Sequence, residues 1–154
     1  MPSRKLKAFL DEHHVAYVSI SHSPAYTAQE TAASAHVRGG LLAKTLMVKV
    51  DGRMAMAVVA APERVDLGKL RRALGAAHAE LAGEHEFAQA FPDCDIGAMP
   101  PFGNLYGLTV YVSPRLAADR EIVFNAGTHT ELVRLAYEDF ERLVAPTVVD
   151  MADE

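Results

Sequence analysis

The run from Lys44 to Ala60, KTLMVKVDGRMAMAVVA, decides how this chain folds. Two strand-like stretches, Lys44 to Val50 and Met54 to Ala60, flank Asp51-Gly52, a favoured hairpin-turn dipeptide. The second stretch is apolar at both parities, so it is expected as a central strand covered on both faces. The first alternates. Its period of two sends Lys44, Leu46, Val48 and Val50 to one side and Thr45, Met47 and Lys49 to the other. Lys44 therefore shares a face with three aliphatic side chains, which puts it at the core margin or in a pocket. Lys49 has the usual solvent position.

On the N-terminal side, Ser3 can cap a helix running to about His14, with Leu6, Phe9 and Leu10 on one face. Tyr17 to Ser21 reads as a short strand. Thr27-Ala28-Gln29-Glu30 has the capping-box pattern, so a helix is expected to start there and stop near Gly39-Gly40. On the C-terminal side, Asp66 to Leu74 reads as a helix, Ala79 to Ala82 as a strand and Glu84 to Ala90 as a helix. The stretch from Pro92 to Gly107 holds Gly97, Pro100, Pro101 and Gly103 as well, too many breakers for a helix or a paired strand. Strands are expected at Leu108 to Val112, Glu121 to Asn125 and Thr130 to Ala136, and a closing helix at Tyr137 to Val144. The mixture implies an α+β fold: a single domain over residues 1–154, with a mixed, largely antiparallel sheet of six or seven strands and flanking helices.

Composition narrows the function classes. The chain has 154 residues, half of them apolar and 23% charged, an ordinary globular balance. The net charge of −5 argues against a protein that coats nucleic acid non-specifically, because such binding rests on many Lys/Arg–phosphate contacts. Contact with one end of a tRNA is still compatible with it. Basic residues gather at Arg4, Lys5 and Lys7 and at Lys69, Arg71 and Arg72, and both groups read as solvated helix faces. A single cysteine, Cys94, rules out an internal disulfide and fits a reducing compartment. Neither a signal-peptide h-region nor an apolar run long enough for a membrane helix is visible, so a soluble, cytoplasmic protein is expected.

Standard catalytic signatures are missing: there is no G-x-S-x-G, Walker A loop, H-E-x-x-H or paired C-x-x-C. None of the seven histidines makes a metal-ligand spacing, and no metal or cofactor is expected. Cys94 lies between Asp93 and Asp95, whose charge works against a thiolate nucleophile. Three features remain: Lys44 on its apolar face, the Gly/Pro-ordered loop Gly97 to Gly103, and the turn Asn125-Ala126-Gly127-Thr128-His129. Each also has a plain structural reading, as an end-of-strand lysine, an irregular loop and a hairpin turn.

Four segments in order resemble the YbaK family, also found as an inserted domain of prolyl-tRNA synthetases. They are His22-Ser23-Pro24 with Thr27 to Glu30, Ala43-Lys44-Thr45-Leu46, Gly97-Ala98-Met99-Pro100-Pro101-Phe102-Gly103, and Asp119 to His129. The third matches the family's GxxxP loop with its trailing glycine. The resemblance implies an α+β domain that hydrolyses the ester of mischarged aminoacyl-tRNA in trans, with proline-tRNA-type editing the expected specificity. It further implies Lys44, Gly97 and His129 as catalytic residues. Ile20, His22, Thr27, Ala28, Thr31, Ala98, Met99, Pro100, Pro101, Gly103, Asn125 and Gly127 would bind substrate. The implied partner is the acceptor end of aminoacyl-tRNA, together with an aminoacyl-tRNA synthetase; no membrane or DNA partner is expected.

Such a reaction needs a placed water and stabilisation of the oxyanion that forms. A loop fixed by Gly97, Pro100 and Pro101 can aim backbone N–H groups at that oxygen. By the resemblance, Lys44 contacts a terminal phosphate or orients the aminoacyl group. Either the substrate's own 2′-hydroxyl or amine activates the water, or His129 positions it. Two other readings stand beside this one: a synthetase-associated module that binds an aminoacyl or nucleotide end without turnover, and a hydrolase of another small ester or amide. Residues 62–91 carry no functional signature.

Overall fold

The computed structural model describes residues 4–21, 42–92, 94–95 and 97–153. The helix expected from Thr27 to Gly39-Gly40 lies outside them, as do His22, Thr27, Ala28 and Thr31. Helix α1 (Arg4–Glu12) buries Leu6 and Leu10, one helical turn apart, and strand β1 (Tyr17–Ser21) follows. The deciding hairpin is β2 (Leu42–Val50) and β3 (Arg53–Ala60), antiparallel, with Lys44 opposite Val59 and Met47 opposite Met56. Asp51 and Gly52 both have positive φ, 50° and 81°, the backbone that lets a two-residue turn follow the twist of its strands. The Asp51 carboxylate also accepts the N–H groups of Ala77 and His78 at 3.0 and 2.8 Å, fastening the hairpin tip to the next loop.

After β3 come β4 (Arg64–Val65), α2 (Leu67–Leu74), β5 (Ala79–Leu81), α3 (Glu84–Phe87) and a short 3-10 turn at Ala88–Ala90. Asp66 caps α2 through a 3.0 Å bond from Lys69 N–H, and Gly75 ends it with φ 63°. The chain then runs through β6 (Thr109–Val112), α4 (Pro114–Ala117), β7 (Glu121–Asn125), β8 (Glu131–Ala136), α5 (Tyr137–Val144), β9 (Thr147–Val148) and β10 (Ala152–Asp153). In the main sheet the order is β1-β8-β7-β2-β3-β6-β9, and β5 pairs with the far end of β2. Pairings β1–β8, β8–β7, β2–β3 and β2–β5 are antiparallel, while β7–β2, β3–β6 and β6–β9 are parallel.

The α+β class and mixed sheet are as expected, with eight strands in the main sheet among the described residues where six or seven were expected. Two-residue β9 is too short for a periodicity to register. A separate two-stranded sheet of β4 and β10 escaped for the same reason. β3 is central, and every residue from Ala55 to Ala60 is buried. On one face Met47, Met56, Val58, Val110 and Phe124 pack with Leu6, Leu10, Phe102 and Phe140. On the other, Val48, Ala55, Ala57 and Val59 pack with Leu70, Val149 and Met151. A smaller patch of Leu42, Ala61, Val123 and Leu132, with Ile20 against it, continues that second face. Among the described residues no helix is long and apolar enough to cross a membrane.

Candidate active site

Lys44 sits at the seam of these two patches. Its parity on β2 is that of Leu42, Leu46 and Val48, so the side chain leaves the sheet between the small patch and the larger one. It is half-buried, and its Nζ donates to the carbonyl of Ala61 at 3.2 Å. Burial pulls its pKa below the ordinary lysine value, the charge of Arg64 adds to that, and Glu63 opposes it. Lys49, one face over, forms a surface ion pair with Glu86 at 2.8 Å, which raises its pKa. The alternation separated these two lysines correctly.

Across the sheet, Ile20 is opposite Leu132, and Leu132 is opposite Asn125. The parallel pairing of β2 with β7 sets Leu42 beside Val123 and Ala43 beside Phe124. Lys44 follows Ala43 on β2 with the parity of Leu42, and Asn125 ends β7 with the parity of Val123. Ile20, Leu132 and Asn125 thus lie in one row across β1, β8 and β7, and Lys44 stands opposite Val59 in the neighbouring hairpin. The Oδ1 of Asn125 is buried and has no hydrogen-bond partner among the described residues. An orphaned buried acceptor costs about 1–3 kcal/mol, so Asn125 Oδ1 is a candidate contact for a donor from outside.

The Gly97 loop joins this row through the turn after β7. Asp95 N–H donates to Gly127 O at 2.7 Å, Gly127 N–H to Ala98 O at 2.9 Å, and Ala98 N–H to Asp95 O at 3.0 Å. These bonds clamp loop and turn together. Gly97 is exposed with φ 86°, and its missing Cβ would stand 3.5 Å from Cε1 of His129. Among the described residues its N–H donates to the thioether sulfur of Met99 at 3.3 Å, a weak acceptor that a stronger one can displace. Gly97, Met99, Thr45, Met47, Leu81 and Phe87 line a cleft of about 200 Å³. A larger surface cleft of about 730 Å³, bordered by Arg120, Tyr137 and Arg142, contains none of the expected site residues.

Ala98, Met99, Pro100, Pro101 and Gly103 are buried. Gly103 opens a 3-10 turn, and a Cβ on it would lie 2.7 Å from Leu108 O and from Val110 Cγ2, so close packing demands glycine there. Cys94 is half-buried against the core, 3.8 Å from the hydroxyl of Tyr106. Among the described residues no three His, Cys, Asp or Glu side chains are grouped to hold a metal ion. The sequence offered no hint of Glu63 or Arg64, the two charges that act on Lys44.

A family model described as an aminoacyl-tRNA editing domain matches residues 22–143, which includes Lys44, the Gly97 loop and His129. The chain belongs to that family. It is 34% identical over 127 residues to the Multifunctional Ser/Thr-tRNA deacylase ProXp-y of Escherichia coli K12, across 77% of this chain and 75% of that one. The Prolyl-tRNA editing protein ProX of Acetoanaerobium sticklandii is 29% identical over 143 residues, across 89% of this chain and 87% of its own. Among solved structures, one described as a candidate trans-editing enzyme for prolyl tRNA synthetase superposes with a TM-score of 0.82 at 25% identity, covering 98% of this chain and 96% of that one. An editing-domain fold thus carries the row and loop described above.

Proposed function

We propose that this chain hydrolyses the ester bond of mischarged aminoacyl-tRNA in trans, with Lys44 and the Gly97 loop as the groups that meet the substrate. The observations that support this reading are the half-buried Lys44 cation, the buried Asn125 oxygen with no partner among the described residues, and the Gly97 loop clamped to the turn that follows Asn125. Water adds to the ester carbonyl, and negative charge builds on its oxygen. In this reading the Gly97 N–H exchanges the weak Met99 sulfur for that oxygen, in a loop clamped before reaction. Collapse of the adduct expels the ribose oxygen of the tRNA and frees the amino acid.

Lys44 serves as a fixed positive charge toward the ribose–phosphate end or the ester and not as a nucleophile; its Nζ is already engaged with a carbonyl. Asn125 Oδ1 takes a donor of the aminoacyl group, either the α-ammonium or a side-chain hydroxyl. His129, against Gly97, orients the attacking water. Selection among amino acids works by exclusion because one methylene is worth only about 1–3 kcal/mol. Charged tRNA as substrate supports a cytoplasmic protein, with a synthetase as the partner class to test.

The deciding experiment is turnover of a panel of tRNAs carrying Ser, Thr, Ala, Cys and Pro, with wild type and Lys44→Ala. Selective hydrolysis that the variant loses supports the proposal and identifies the amino acid. Tight binding without turnover across the panel would sink it in favour of a binding module, and equal hydrolysis of simple aminoacyl esters would point to a general esterase.

A further inference from the structure

Glu63 follows β3 and is only 7% exposed. A buried ionised carboxylate is expensive unless hydrogen bonds and an opposite charge compensate it. Its Oε1 accepts the Ala60 N–H and the Ser113 hydroxyl, each at 2.8 Å. Ser113 is itself fully buried and donates its N–H to Val58 O at 3.0 Å, so the hydroxyl is delivered from a fixed backbone. Among the described residues no cation stands within ion-pair distance of Glu63. The turn it holds is closed by Glu63 N–H to Ala60 O and by Ala61 N–H to Leu42 O, both 2.9 Å.

That turn carries the carbonyl of Ala61, the acceptor for Lys44 Nζ at 3.2 Å. Lys44 is influenced by two charged groups among the described residues, Glu63 favouring its cation and Arg64 opposing it. A glutamine would satisfy Ala60 and Ser113 equally well. What only a carboxylate adds is negative charge near the half-buried ammonium.

We infer that Glu63, held by Ser113, is a positioning residue for Lys44: it fixes the turn that seats the ammonium and supplies its counter-charge. The inference rests on the reading in which Lys44 meets the substrate, yet it has a readout of its own. In the full chain labelled with 15N-lysine, the side-chain signal of Lys44, assigned by its loss in Lys44→Arg, is followed against pH in wild type, Glu63→Gln and Ser113→Ala. Glu63→Gln keeps both hydrogen bonds, so a folded protein is expected, with Lys44 titrating at lower pH than in wild type. Its kcat/KM should fall, more steeply at alkaline than at neutral pH. Ser113→Ala should move the titration in the same direction by less. An unchanged Lys44 titration in Glu63→Gln overturns the inference, whatever happens to activity. A shifted titration in a protein that hydrolyses no aminoacyl-tRNA upholds the Glu63–Lys44 relation and removes the deacylase reading instead.

Discussion

Gly97 and His129 face each other across the mouth of the site: a Cβ built on Gly97 would lie 3.5 Å from Cε1 of the imidazole. That distance is an ordinary van der Waals contact, so space alone does not forbid a side chain. The backbone does. Gly97 has φ 86°, where an L-residue is strained by about 1–2 kcal/mol, and the strain is relieved only if the loop rotates its N–H away from its present direction.

Gly97→Ala is therefore expected to lower kcat by roughly a hundred- to a thousand-fold, the usual effect of losing one oxyanion donor, while KM changes little. Steady-state deacylation and a melting curve read this together. A variant with unchanged kcat would remove the Gly97 N–H from the reaction.

How much of this was legible beforehand depended on periodicity. The hairpin, β1, β7 and α5 follow from alternation and helical spacing, and the structure reproduces Tyr17–Ser21, Glu121–Asn125 and Tyr137–Val144 at both ends. Elements of two to four residues, such as Arg64–Val65, Pro114–Ala117 and Thr147–Val148, are too short to show a period. Lys44 was legible because it breaks an apolar alternation. Glu63 was not: its burial comes from Ser113, 50 positions away, and local sequence says nothing about that contact. Gly103 shows the converse limit, since a motif glycine looks alike whether it contacts substrate or Leu108.

Lys44 is half-buried, and a charge held out of water weighs against folding. Burial, the largest influence, and Arg64 lower its pKa in the folded protein. Between that lowered value and the ordinary lysine value the unfolded chain binds more protons, so the contribution at Lys44 to stability rises with pH across that window. Below the window the charged side chain is a net cost. Lys44→Met is expected to melt higher than wild type at neutral pH, with the difference shrinking as pH climbs toward the ordinary lysine range. Its kcat/KM should fall by roughly ten- to a hundred-fold, as for a lost hydrogen bond to a charged group. A Tm difference that grew with pH would contradict the assignment.

Asn125 makes a similar trade. Its buried Oδ1 lacks a partner among the described residues, so Asn125→Leu removes a cost and is expected to leave Tm unchanged or higher. Deacylation should nevertheless weaken, by roughly ten- to a hundred-fold in kcat/KM if the oxygen takes a charged donor. Comparing Ser- and Ala-charged tRNA tells which donor it takes. An equal loss on both means the α-ammonium; a loss confined to Ser means the side-chain hydroxyl. Full activity of Asn125→Leu on both would discard the contact.

Gly103 differs from Gly97 in being buried against the core. Its Cβ would meet the backbone oxygen of Leu108 and Cγ2 of Val110 at 2.7 Å, and backbone does not yield as a flexible side-chain end does. Gly103→Ala is expected to destabilise by about 1–3 kcal/mol, as overpacking in a filled core does. For a chain of this size that is roughly 2–12 °C of Tm. The signature is thus the reverse of that at Gly97: a large change in melting, with a far smaller change in kcat measured well below the transition. Calorimetry alongside single-turnover deacylation separates the two glycines. If Gly103→Ala instead melted like wild type and lost turnover, the trailing glycine of the loop would belong to the substrate and not to the core.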